Sequence, residues 1–117
     1  MTTTFLGAAF DAHDAATVAA FWGTVLGRPV NPGATAEHAA IDATTPDLGP
    51  RLAFHQVPEG KTVKNRFHPD LLTTEYDAEV ARLVGLGATV LAEQSAGSAR
   101  WTTLADPEGN EFDLIRG

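Results

Sequence analysis

Asp14-Ala15-Ala16-Thr17-Val18-Ala19-Ala20-Phe21-Trp22-Gly23-Thr24-Val25-Leu26-Gly27 reads as one amphipathic helix with both of its ends marked. Val18, Phe21, Trp22, Val25 and Leu26 recur at the spacing of a single apolar face, which assigns Trp22 to the core. Asp14 can accept from the free amides of the first turn, and Gly27, with Pro29 beyond it, supplies a stop. A second such segment runs from Thr74 to Leu86, with Tyr76, Val80, Leu83 and Val84 on one face and Gly87 as the stop. Thr74 with Asp77 three residues on makes a variant of the capping box. A shift of sixty positions lays Leu26-Gly27 on Leu86-Gly87 and Asp14 on Thr74, which points to an internal repeat.

Each helix is preceded by one strand-like stretch and followed by about three. The first half offers Phe5 to Phe10, then Arg28 to Asn31, Glu37 to Ala43 and Arg51 to Val57. The second offers Arg66 to Leu72, then Ala88 to Glu93, Ala99 to Ala105 and Glu111 to Ile115. Asn31-Pro32-Gly33, Thr45-Pro46-Asp47 and Asp106-Pro107-Glu108-Gly109-Asn110 supply the turns between them. The fold class expected is α+β, two tandem βαβββ modules spanning about 1–58 and 65–117 of a single 1–117 domain. Between the modules, Pro58 to Lys64 carries Lys61 and Lys64, with Arg66 just beyond. It reads either as a solvated linker or as a clamp for an acidic ligand group or a partner subunit.

The chain has 117 residues, 44% of them hydrophobic, enough to build one core with no room for a second domain. No cysteine is present, which excludes disulfides and thiolate metal sites and makes a cytoplasmic protein the simpler assumption. The start of the chain lacks the basic and long apolar regions of a signal peptide. No later run approaches the roughly 18 apolar residues of a membrane span. A formal charge of -7 opposes binding to nucleic acid or an anionic membrane, leaving a small molecule as the expected partner. Phosphate-binding glycine loops, His-Glu-x-x-His and Gly-x-Ser-x-Gly are all missing.

Several strings together resemble the vicinal-oxygen-chelate superfamily, which includes glyoxalase I, bleomycin-resistance proteins and extradiol dioxygenases. Phe21-Trp22-Gly23-Thr24-Val25-Leu26-Gly27 is similar to its first-helix signature, and Asp106-Pro107-Glu108-Gly109-Asn110-Glu111-Phe112 to the hairpin before its last strand. Val57-Pro58-Glu59 with Lys61, then Lys64-Asn65-Arg66-Phe67-His68 and Asp70, resembles its glyoxalase-like subgroup. The resemblance implies a mixed sheet cupped around a cavity, a homodimer and, in metal-dependent members, a divalent metal. Its ligands would come from the first and last strand of each module.

Carried onto this chain, the first-strand ligand falls on Gly7 or Ala8 and the fourth-strand ligand on Ala53 or Phe54, none of which binds metal. The two positions that keep ligand side chains are His68 and Asp113, with His55 as an outside candidate one pleat, roughly 6.6 Å, beyond Ala53. Alternation places Phe67, Pro69 and Leu71 on one face of their strand and His68, Asp70 and Leu72 on the other. In the last strand Phe112 and Leu114 take the helix side and Glu111, Asp113 and Ile115 the opposite one. Two ligands are fewer than the three that catalytic metal sites usually keep. Without metal, His68 beside a carboxylate could act as a general base, since imidazole as a class titrates near neutrality.

Trp101 is read as either a core residue or a stacking surface for a flat ligand. His13 and His38 carry no recognisable constellation. The expected function is a glyoxalase-like protein binding a small apolar or aromatic metabolite through His55, His68, Trp101 and Asp113, with no resident cofactor. The alternative is a metal-dependent lyase, isomerase or dioxygenase that uses His68 and Asp113 to hold a divalent metal. A subunit that acts only by assembling with other chains is a third reading.

Overall fold

A computed structural model describes residues 2–43 and 49–117, which excludes the Thr45-Pro46-Asp47 turn expected above. The chain divides into two compact units, Met1–Gly60 and Lys61–Gly117. Among the described residues no helix is long and apolar enough to cross a membrane.

The first unit contains β1 (Gly7–Ala12), α1 (Ala15–Leu26), β2 (His38–Ile41) and β3 (Arg51–Gln56). Its sheet has the order β1-β3-β2, with β1 parallel and β2 antiparallel to β3. The helix forms as the sequence predicts. Asp14 accepts from the Thr17 amide at 3.1 Å, and Gly27 takes the left-handed conformation (φ 64°) that ends it. The buried face of α1, with Val18, Phe21, Trp22 and Val25, covers one side of the sheet. There Phe10 packs 5.2 Å from both Trp22 and Phe54, and Trp22 is 1% exposed. Aromatic rings so arranged add attraction beyond the area they bury.

Two strand expectations need correction in this unit. β1 starts two residues later than Phe5, leaving Phe5 and Leu6 exposed. The stretch 28–31 is not a strand. Pro29 and Pro32 have no amide to donate to a ladder, and the Arg28 side chain is buried, donating to the Asp42 carbonyl at 3.1 Å. One link remains, from the Asn31 amide to the Ala40 carbonyl.

The second unit contains β4 (Asp70–Thr73), α2 (Tyr76–Gly85), β5 (Thr89–Ala96), β6 (Ala99–Ala105) and β7 (Glu111–Arg116), in the sheet order β4-β7-β6-β5. β4 runs parallel to β7, and the other pairs are antiparallel. The repeat extends to the helix ends: Arg28 N–H donates to the Gly23 carbonyl, and sixty positions on Ala88 N–H donates to the Leu83 carbonyl. The Thr74–Asp77 capping box does not form. Glu75 occupies the cap position without a side-chain bond, and its amide is taken by the Thr73 hydroxyl. Tyr76 and Leu83 are buried as expected, whereas Val84 is 47% exposed. β4 begins at Asp70, later than the Arg66 start expected, and Phe67 is exposed.

The hairpin joining β6 to β7 is built by Asp106. Its carboxylate accepts from the amides of Glu108 and Asn110 at 2.9 and 3.0 Å, and Gly109 takes the positive φ the turn needs. This turn fixes the register that sets Thr103 opposite Asp113.

Lys61 is not a free linker charge. Its ammonium lies 2.8 Å from the Glu111 carboxylate and also donates to the Val63 carbonyl, while the Asn65 amide donates to the other Glu111 oxygen at 3.0 Å. Burial alone would push the Glu111 carboxyl up, but the Lys61 and Asn65 hydrogen bonds outweigh it and hold the carboxyl below the ordinary carboxylate value. A depressed folded-state value stabilises the fold above the ordinary carboxylate range, and that contribution disappears as pH falls through the depressed value. Denaturant unfolding of Glu111→Gln between pH 7 and 3 is expected to show the largest stability deficit near neutrality and a shrinking one in acid. At Gly7 an added Cβ would lie 1.9 Å from the Arg51 carbonyl oxygen. Gly7→Ala is therefore expected to destabilise the chain by about 1–3 kcal/mol, measured by the same unfolding assay.

Candidate functional site

In the second unit α2 covers one face of the sheet, with Leu104, Phe112 and Leu114 fully buried and the Tyr76 hydroxyl bonded to that of Thr102. Strand alternation sends the other residues of β6 and β7 to the opposite face, and the cross-strand register arranges them in rows. Asp70, Asp113 and Thr103 form one row across β4, β7 and β6. Leu72, Ile115 and Trp101 form the next, one pleat along. Trp101 is half-buried and Leu72 exposed, so a polar row and an apolar row lie side by side.

His68 stands just before β4 and completes the polar row. Its Nδ1 is 3.2 Å from Asp70 Oδ1 and 3.5 Å from Asp113 Oδ2. The second Asp113 oxygen accepts the Thr103 hydroxyl at 2.6 Å, and Thr103 in turn accepts from Gln94 Nε2 at 3.2 Å. Donation therefore runs Gln94 to Thr103 to Asp113, which pins the carboxylate beside the imidazole. Because Nδ1 faces two carboxylate acceptors, the proton of the neutral ring belongs on Nδ1, leaving the Nε2 lone pair for a ligand.

The two residues expected to hold a metal, His68 and Asp113, are thus together. Asp70 is the addition: one ligand atom from each of His68, Asp70 and Asp113 lies within 4.8 Å of the other two. One imidazole and two carboxylates are suitable donors for a divalent ion such as Mn or Zn, with coordination positions left open. The wider family's ligand set is not reproduced. Gly7 has no space for a side chain, Ala8 and Ala53 have no donor atom, and Phe54 is buried in the aromatic core. His55 lies in the first unit, where its ring packs 5.0 Å from that of His38. His38 therefore has a partner that its sequence context does not show.

The two sheets differ at matching places. Ala53, sixty positions before Asp113, pairs with Ala9 and Ala40 as Asp113 pairs with Asp70 and Thr103. The polar row of the second unit is thus an alanine row in the first. Asp70 was legible from the sequence, being two residues from His68 on one face of the chain. Thr103 and Gln94 needed the hairpin register, which residue spacing does not supply.

Comparison with known proteins agrees with this architecture. Among curated proteins, none matches the chain. A mutant form of the fosfomycin resistance protein FosX from Listeria monocytogenes, complexed with Mn(II) and 1S,2S-dihydroxypropylphosphonic acid, aligns with a TM-score of 0.77 at 15% identity, covering 100% of this chain and 92% of that one. A glyoxalase/bleomycin resistance protein/dioxygenase family enzyme from Burkholderia phytofirmans aligns with a TM-score of 0.73 at 19% identity, covering 97% and 98%. Oxidase ChaP-H2 aligns with a TM-score of 0.69 at 21% identity, covering 100% and 95%. These likenesses establish a shared fold. The glyoxalase-like domain family matches residues 7–115, and the chain, by that match and by its fold, belongs to that family within the vicinal-oxygen-chelate superfamily.

Proposed function

We propose that this chain is a glyoxalase-like small-molecule-binding protein that takes its ligand on the open face of the second unit's sheet. The observation that carries this reading is the juxtaposition of the two rows. A flat or apolar body would lie against Trp101 and Ile115, and a polar group one pleat away would meet His68, Asp70 and Asp113. His68 would receive a proton or a hydrogen bond at Nε2, and Asp113, held by Thr103, would orient the ring.

A second reading is supported by the close grouping of the three ligand atoms. In it, His68, Asp70 and Asp113 hold a divalent ion and the chain is a metal-dependent lyase, isomerase or dioxygenase. FosX, described with Mn(II), shows that a protein of this fold can carry such an ion. The ion would supply a Lewis acid beside the polar row.

Elemental analysis of protein purified without an affinity tag or chelator, wild type against His68→Ala, decides between the two. The metal-free reading predicts the same metal content in both proteins, and flat aromatic ligands whose affinity falls about tenfold in Trp101→Ala. Near one equivalent of metal, lost in His68→Ala, would replace it with the metal-dependent reading.

We further propose a homodimer. Val84, Leu86, Val90 and Leu91 leave exposed apolar surface within eight residues of chain, which association between copies would cover. Sedimentation at micromolar concentration is expected to give twice the chain mass of 12.3 kDa, and a monomer there would contradict it.

A further inference from the structure

The first unit carries a row of its own that the proposed function does not use. Asp11 on β1, His55 on β3 and His38 on β2 are direct cross-strand neighbours, with Asp11 paired to His55 and His55 paired to His38. All three are exposed, on the sheet face opposite Phe10 and Phe54. The two imidazole centroids are 5.0 Å apart with their planes inclined at 47°. Rings so placed can turn one nitrogen each toward a common ion at about 2.0–2.1 Å.

The backbone beneath the row is held in place. The Thr35 amide donates to the His38 carbonyl at 2.8 Å, and the His38 amide donates to the Thr35 hydroxyl at 3.2 Å. The Gln56 amide, next to His55, donates to the Glu37 carbonyl at 2.9 Å, and its side chain donates to the His13 carbonyl at 2.9 Å. Both histidines therefore flank a fixed strand junction, and an ion would not have to order the backbone first. At the matching register positions of the second unit stand Ile115 and Trp101, so this arrangement has no counterpart there.

We propose that His38 and His55 form a bis-imidazole site for a late first-row divalent cation, Cu, Ni or Zn, on the open face of the first unit's sheet. Imidazole pairs favour these ions over Mg or Ca, and exposure of both side chains removes the burial cost of bringing in charge. A bound ion would clip β2 to β3 and stabilise the first unit by mass action. The proposal uses no residue of the second unit and stands or falls apart from the function proposed above.

The test is titration of the full chain with Zn²⁺, and separately with Ni²⁺, followed by the NMR signals of all four histidine rings. The rings of His38 and His55 are expected to respond together. His38→Asn should weaken the His55 response by about tenfold or more, as should His55→Asn that of His38, because each removes half of a chelate. His68→Asn should leave both responses unchanged. The side chains are exposed, so these variants are expected to fold, and their unfolding curves without metal check it. The proposal is overturned if His38 and His55 do not respond to either ion. It is equally overturned if each responds with unchanged affinity after the other is replaced.

Discussion

The parallel pairing of a module's first strand with its last is the constraint on which the rest of the structure depends. β1 lies beside β3 and β4 beside β7. Parallel neighbours cannot be joined by a tight turn, so each pair requires a crossover, and α1 and α2 follow β1 and β4 directly. The helix takes one face of the sheet as its core surface and leaves the other free for chemistry. The same pairing sets Asp70 against Asp113, two carboxylates forty-three positions apart in sequence. Without that register His68 would not meet Asp113.

Much of this was readable from residue patterns because the signals are local. Apolar spacing, a capping aspartate and a glycine stop determine α1 within a single stretch of chain, and the sixty-position shift of Leu-Gly identifies the repeat. The alternation of β7 correctly put Phe112 and Leu114 in the core and left Asp113 on the open face. The errors fall where tertiary context overrides local pattern. Arg28 to Asn31 has the length of a strand, yet its proline cannot donate and its arginine is drawn inward to the Asp42 carbonyl. Thr74 and Asp77 have the spacing of a capping box, but Thr73 reaches the cap amide instead.

The candidate site was half legible for the same reason. His68 and Asp113 were marked by resemblance and by alternation, and Asp70 shares the face of His68. The hydrogen-bonded supports, Thr103 and Gln94, depend on strand register, which a single sequence does not encode in any short motif. The pairing of His38 with His55 was likewise invisible, since it joins β2 to β3 between positions seventeen apart in sequence.

The two modules therefore share a scaffold but place their polar side chains one pleat apart. In the second, acids and a threonine stand in the row that alanines fill in the first. In the first, histidines stand in the row that Ile115 and Trp101 fill in the second. A duplicated fold can thus keep its helices and pairing while each sheet face acquires its own chemistry. The most direct test of the ligand face is an NMR screen of small aromatic acids and amines against the labelled protein, mapping which side chains respond. Binding compounds are expected to shift the Trp101 indole, the Ile115 methyls and Thr103 together. Binding that leaves these three unmoved and maps instead to α1 or its C-terminal end would contradict this placement of the ligand face.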